Sequence, residues 1–270
     1  FAIAWSSAPA SNFDIRAQRF EADGDKIGGE IVVSAQSGAE GTPQIVALAG
    51  GGYAVVWRDS GARDGDASGV FGQLLAADGG LSGSSFQVNS QTIGSQSEPT
   101  LAALDGGGFV ASGTDQNSGR DGSSWGIYAQ RYDASGAPQG EEFQVNDVAA
   151  STQREPHAVG LSGGGFVIAY RTDGAQDGSG GGVFAQAYDA AGRRLDDGLQ
   201  INELTSGSQT QPALAALEGG GYVASWTSVT SGDAGDGFGS GVFHRVFGTP
   251  GDLSPASAAP EITDVAIEVE

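Results

Sequence analysis

The chain has 270 residues, of which 33 are acidic against 11 arginines and one lysine, for a formal charge of −21. Such a surface repels phosphate backbones and anionic lipid, which argues against nucleic-acid partners and membrane insertion, while it attracts divalent cations, calcium first among them. With no Cys and no Met there are no disulfides and no thiolate chemistry, and no run of 18 apolar residues offers a membrane-spanning helix.

In chain order, the first segment is an aromatic-rich strand, Phe1-Ala-Ile-Ala-Trp5. It returns about every 56 residues as Tyr53-Ala-Val-Val-Trp57, Phe109-Val-Ala-Ser-Gly113, Phe166-Val-Ile-Ala-Tyr170 and Tyr222-Val-Ala-Ser-Trp226. Repetition at this period points to units that cannot bury their own apolar faces and must stack on their neighbours. Phe1 opens directly in a strand whose siblings follow a turn and another strand, so the chain is expected to continue upstream.

Each full copy begins with Pro and a run of small apolar residues: Pro43–Leu48, Pro99–Leu104, Pro156–Leu161 and Pro212–Leu217. Pro is tolerated at the first position of a strand, so each run is expected to start there. A triple-glycine hairpin turn follows (50–52, 106–108, 163–165, 219–221), then the aromatic strand. A polar loop leads to a third strand, Gly69–Gln73, Gly126–Gln130, Gly182–Gln186 and Gly241–Arg245. The fourth, Phe86–Asn89, Phe143–Asn146 and Leu199–Asn202, alternates apolar and polar residues.

Four short antiparallel strands per copy predict an all-β fold, a β-propeller of about five blades or part of a larger ring; an open β-solenoid is the alternative. The first blade lacks its innermost strand and the last its outermost. The propeller is expected over residues 1–250, with an Ala/Ser/Pro linker at 251–260. The alternating run 261–270 is expected to start a following domain, or else to close the last blade.

The loop between the second and third strands carries an Asp-Gly pair in four copies, at Asp64, Asp121, Asp177 and Asp236, with Asp66 and Asp233 nearby. Carboxylate oxygens beside a flexible Gly suit calcium; the same residues also suit a plain Asx turn. Trp125 interrupts its loop where the siblings have Ser or Gly, and an exposed ring there is a candidate platform for a sugar.

The units GGGFV, DG-x3-G-[VI]-[FY] and FQVN resemble a repeat of very large secreted proteins of Gram-negative bacteria, described as calcium-binding, RTX-type or cadherin-containing. The resemblance spans residues 1 to about 248. It implies export, an extracellular or cell-surface location, and other domains of the same large polypeptide as partners.

Catalytic motifs are weak. Gly160-Leu-Ser-Gly-Gly164 has a nucleophile-elbow spacing but lies in a hairpin turn with no following helix. His157 and His244 stand apart from other ligand-type residues in the repeat. The arginines fall in loops and outer strands, with none expected on the innermost strands. The expected function is therefore a non-catalytic structural or adhesive module, not an enzyme. The alternative is a propeller recognising a glycan or protein, and a glycoside hydrolase ranks third.

Overall fold

The computed structural model describes residues 1–7, 13–36, 38–116, 119–122, 125–229 and 239–248. Five antiparallel sheets follow one another as blades I to V. Blade I holds β1 (Ala2–Ser7), β2 (Asp14–Phe20) and β3 (Lys26–Ser34). Blade II holds β4 (Glu40–Ala47), β5 (Tyr53–Asp59), β6 (Gly69–Leu75) and β7 (Leu81–Gln87), and blade III holds β8 (Ser95–Ala103), β9 (Phe109–Gln116), β10 (Trp125–Tyr132) and β11 (Phe143–Gln144). Blade IV comprises β12 (Gln153–Gly160), β13 (Phe166–Thr172), β14 (Val183–Tyr188) and β15 (Leu199–Gln200); blade V comprises β16 (Ser208–Ala216), β17 (Tyr222–Val229) and β18 (Ser240–Phe247). Within each sheet spatial order follows chain order, and β4, β8, β12 and β16 pack on one another as the innermost strands. This is the predicted all-β propeller; among the described residues, blade I has no innermost strand and blade V no outermost one. The segments 251–260 and 261–270 lie outside the described residues.

The sequence features that define the repeat have steric causes. In each glycine turn the third Gly lies against a third-strand carbonyl: a Cβ on Gly52 would sit 2.4 Å from Leu75 O, and one on Gly108 would sit 2.1 Å from Tyr132 O. The aromatic strand fills the wedge between blades. Phe166, Ile168 and Tyr170 pack on Ala102, Val110 and Ile127 of blade III, while Val167 and Ala169 on the opposite face pack on Tyr222, Ala224 and Trp226 of blade V. Stacked pairs recur at Phe109–Tyr132 (4.9 Å), Phe166–Tyr188 (4.7 Å) and Tyr222–Phe247 (4.8 Å). Such pairs add about 0.5–1.5 kcal/mol beyond area burial. Gly113 replaces the aromatic of its siblings, and a cavity of about 20 Å³ lies there, lined by Val70, Ala111, Gly113 and Tyr128.

One predicted boundary is wrong, and it matters for the site. Pro43, Pro99, Pro156 and Pro212 lie inside the innermost strands rather than at their starts. The pairing register slips there, between Gly41/Gln44, Ser97/Thr100, Arg154/His157 and Thr210/Ala213. The residue before each Pro adopts positive φ: Thr42 (49°), Glu98 (50°), Glu155 (56°) and Gln211 (54°). A bulge absorbs the ladder donor that Pro lacks, so the strand continues upstream of it.

Candidate active site at the channel mouth

The bulges bring chemistry to the innermost strands. Glu98 and Glu155 occupy equivalent positions on β8 and β12, at the end of the channel where the loops from second to third strands gather. Glu98 Oε2 accepts the Thr114 hydroxyl at 2.7 Å and the backbone N–H of Glu155 at 2.9 Å. Glu155 Oε2 accepts the N–H of Gln211 at 2.9 Å, and its Oε1 pairs with the Arg171 guanidinium at 3.2 Å. Arg171 also meets Asp173 at 2.6 Å, and Arg154 meets the same carboxylate at 3.0 Å. The channel mouth thus holds two half-buried glutamates on adjacent blades, with two guanidiniums and Asp173 beside the second.

Arg154 lies on β12, which corrects the expectation that innermost strands carry no arginine. A strand that starts at Pro leaves Glu98, Arg154 and Glu155 in the preceding loop. A signal existed: a Glu precedes Pro in two of the four copies and Gln in a third.

Further down the strand, His157 Nδ1 accepts the N–H of Leu214 at 3.2 Å, and the Thr100 hydroxyl accepts that of Ala158 at 3.2 Å. Burial pushes the His157 pKa below its usual value. Both contacts lace one blade to the next, so His157 holds the ring rather than facing a ligand.

The sequence-predicted aspartates lie one loop per blade. Asp64, Asp121 and Asp177 stand over the glycines that open the third strands: a Cβ on Gly69, Gly126 or Gly182 would meet the carboxylate at 2.7, 2.8 and 3.1 Å. Asp64 Oδ2 accepts Asn89 Nδ2 at 3.3 Å and Asp177 Oδ2 accepts Asn202 Nδ2 at 3.0 Å, tying the loop to the end of the fourth strand. Asp66 Oδ2 accepts the Gly94 N–H at 2.8 Å. The structure therefore separates these residues, and among the described residues no three acidic or histidine side chains converge as a metal group. Asp233 and Asp236 lie outside the described residues. Trp125 opens β10 opposite Gln116, half-buried and two strands out from the channel.

No family model matches the chain, and no curated protein matches it. Solved structures do. An α-L-arabinanase of Penicillium chrysogenum complexed with arabinobiose superposes with a TM-score of 0.56 at 16% identity, covering 85% of this chain and 67% of that one. An α-L-arabinofuranosidase of Fusarium graminearum in complex with an iminosugar inhibitor gives 0.57 at 11% identity, covering 91% and 70%. A protein of unknown function from Dyadobacter fermentans gives 0.59 at 10% identity, covering 94% and 72%. The chain thus spans about two thirds of the arabinanase.

At these identities the likeness establishes the propeller fold. It also overturns the ranking drawn from sequence: the propellers of this shape include arabinan-cleaving enzymes, so the readings of the chain as a non-catalytic adhesive module and as no enzyme are corrected. The error has a physical root in the bulge. Those readings rested on the repeat, the acidic charge and the absence of a catalytic cluster, and the bulge is what places Glu98 and Glu155 together on the innermost strands.

Proposed function

We propose that this chain is a glycoside hydrolase acting on a neutral glycan at the channel mouth. The carrying observation is the Glu98–Glu155 pair, presented by adjacent innermost strands at strained bulges and flanked by Arg154, Arg171 and Asp173. Glycoside cleavage needs two carboxyl groups, one to protonate the leaving oxygen and one to act as base or nucleophile. Glu155, paired with Arg171, takes the role of the charged carboxylate; Glu98, whose partners are the Thr114 hydroxyl and a backbone amide, takes that of the acid. The net charge of −21 disfavours uronic-acid polymers and leaves neutral sugars. The arabinobiose complex of the similar arabinanase supports a pentose glycan in particular.

The test is release of reducing sugar from a panel of neutral pentose and hexose oligosaccharides. Wild type is expected to cleave at least one, and Glu98→Gln and Glu155→Gln each to lower kcat by about 10²–10⁴-fold with melting temperature little changed. Absence of cleavage across the panel, or full activity in both variants, rejects the assignment.

A further inference from the structure

The junction between blades I and II differs from the other three in one buried pair. At the start of β8, β12 and β16 stand Gln96, Gln153 and Gln209, all buried. Each accepts from the Asn that ends the preceding blade: Asn89 Nδ2 at 3.0 Å, Asn146 Nδ2 at 3.1 Å and Asn202 Nδ2 at 3.2 Å. Each then donates its own Nε2 to a carbonyl three residues earlier, Ile93 O, Ala150 O or Ser206 O. Gln96 also donates to Asp115 Oδ1 at 3.4 Å, its cross-strand partner on β9.

Blade II has Glu40 in this place and Ser34 in that of the Asn. Glu40 Oε1 accepts the Ser34 hydroxyl at 2.5 Å and the Trp57 indole N–H at 3.0 Å. A carboxylate has no N–H to give in return. Among the described residues Glu40 Oε2, replacing the amide nitrogen of the siblings, has no hydrogen-bond partner, and neither has Oδ2 of Asp59, the cross-strand partner of Glu40. Both residues are only 1% exposed. Burial pushes the Glu40 carboxyl above the usual range, and the Asp59 charge adds to it against the Ser34, Gln36 and Trp57 bonds. Two buried carboxylates, each with an oxygen turned to no donor, call for a positive charge between them.

We infer that Glu40 and Asp59 ligate a divalent cation of the calcium class in the seam between blades I and II. Directly opposed residues of an antiparallel pair hold their Cβ atoms about 4.5–5.5 Å apart, which brings both carboxylates within reach of one ion. The oxygen-only donors suit a hard cation, with backbone carbonyls and water completing six to eight ligands. Gly38 and Gly61 press their backbones onto this spot: a Cβ on Gly38 would lie 2.3 Å from Asp59 Oδ1 and 2.7 Å from Gly61 Cα. The Asp-Gly loops are separate features, since their carboxylates already take side-chain or backbone donors at Asp64, Asp66 and Asp177.

The experiment titrates calcium ion into the chelator-stripped chain, reading stoichiometry by calorimetry and melting temperature at constant ionic strength. Glu40→Gln is the decisive variant because Gln is what the three sibling junctions carry, so the blade seam has a satisfied form to adopt. Wild type is expected to bind one tight equivalent and to melt several degrees higher in millimolar calcium than in excess chelator, as binding to the native state alone requires. Glu40→Gln is expected to keep the β-sheet circular dichroism and lose both the tight equivalent and the shift, and Asp59→Asn to lose the tight equivalent. Wild type that melts identically with calcium and with chelator overturns the assignment in favour of a proton shared by the pair. Retention of the shift in Glu40→Gln overturns it in favour of the acidic loops. No arm reads glycan cleavage, so this result stands apart from the proposed activity.

Discussion

His157 shows how a single side chain makes a blade seam respond to pH. Its Nδ1 can accept the Leu214 amide only in the neutral ring, with the proton on Nε2. Burial holds its folded pKa below the unfolded value of about 6.5. A depressed pKa of this kind contributes stability that is present above the unfolded value and lost as pH falls through the folded one. At the same repeat position on β8, Thr100 makes the equivalent bond to Ala158 with a group that does not titrate. His157→Thr is therefore expected to flatten the decline in unfolding free energy between about pH 7 and 5, measured by urea titration against wild type. Equal slopes in the two proteins would place the titration elsewhere.

The innermost strand is the element on which both architecture and chemistry turn. A non-glycine residue in the left-handed region costs about 1–2 kcal/mol, and a following Pro narrows its choices further. Yet all four full copies hold Thr, Glu, Glu or Gln there. At Glu98 and Glu155 the side chain recovers part of that cost by bracing the next blade's amide. Thr42 is exposed and β-branched, so Thr42→Gly is expected to relieve strain, gaining up to about 1 kcal/mol and a few degrees in melting temperature. Glu98→Gly relieves the same strain but strips the Glu155 amide of its acceptor, so it is expected to melt below Thr42→Gly; scanning calorimetry on both checks the ordering.

These bulges also mark where the sequence stops being readable. The 56-residue period, glycine turns and aromatic strands announce the blades because each reflects a local steric need, such as Gly52 against the Leu75 carbonyl. No Gly or Asn announces the left-handed residue before Pro, so sequence alone misplaces the strand boundary and loses Glu98, Arg154 and Glu155 with it. The Asn of FQVN is visible as a motif, but its part in joining Asp64 to Gln96 emerges only once three strands from two blades meet.

For the whole molecule, charge and shape pull in different directions. Blades II to IV are clamped on both faces, whereas among the described residues blades I and V each leave one apolar face open. Ile3 is 48% exposed where Ile168 is buried, and Val242 is 80% exposed where Val183 is buried. The middle of the array therefore carries most of the packing energy, while the net charge of −21 acts on all five blades and favours any state that spreads carboxylates apart. Screening weakens that repulsion: the Debye length falls from about 30 Å at 0.01 M to about 8 Å at 0.15 M and 3 Å at 1 M. Ion pairs such as Arg171–Asp173 lose strength over the same range, but exposed and half-exposed pairs contribute only about 0–1 kcal/mol each. Repulsion among the surplus carboxylates is the larger effect. In excess chelator the melting temperature is accordingly expected to rise with sodium chloride, most steeply below about 0.15 M, and then to level off. A melting temperature that falls over this range would mean that the Arg–carboxylate pairs outweigh the surplus charge.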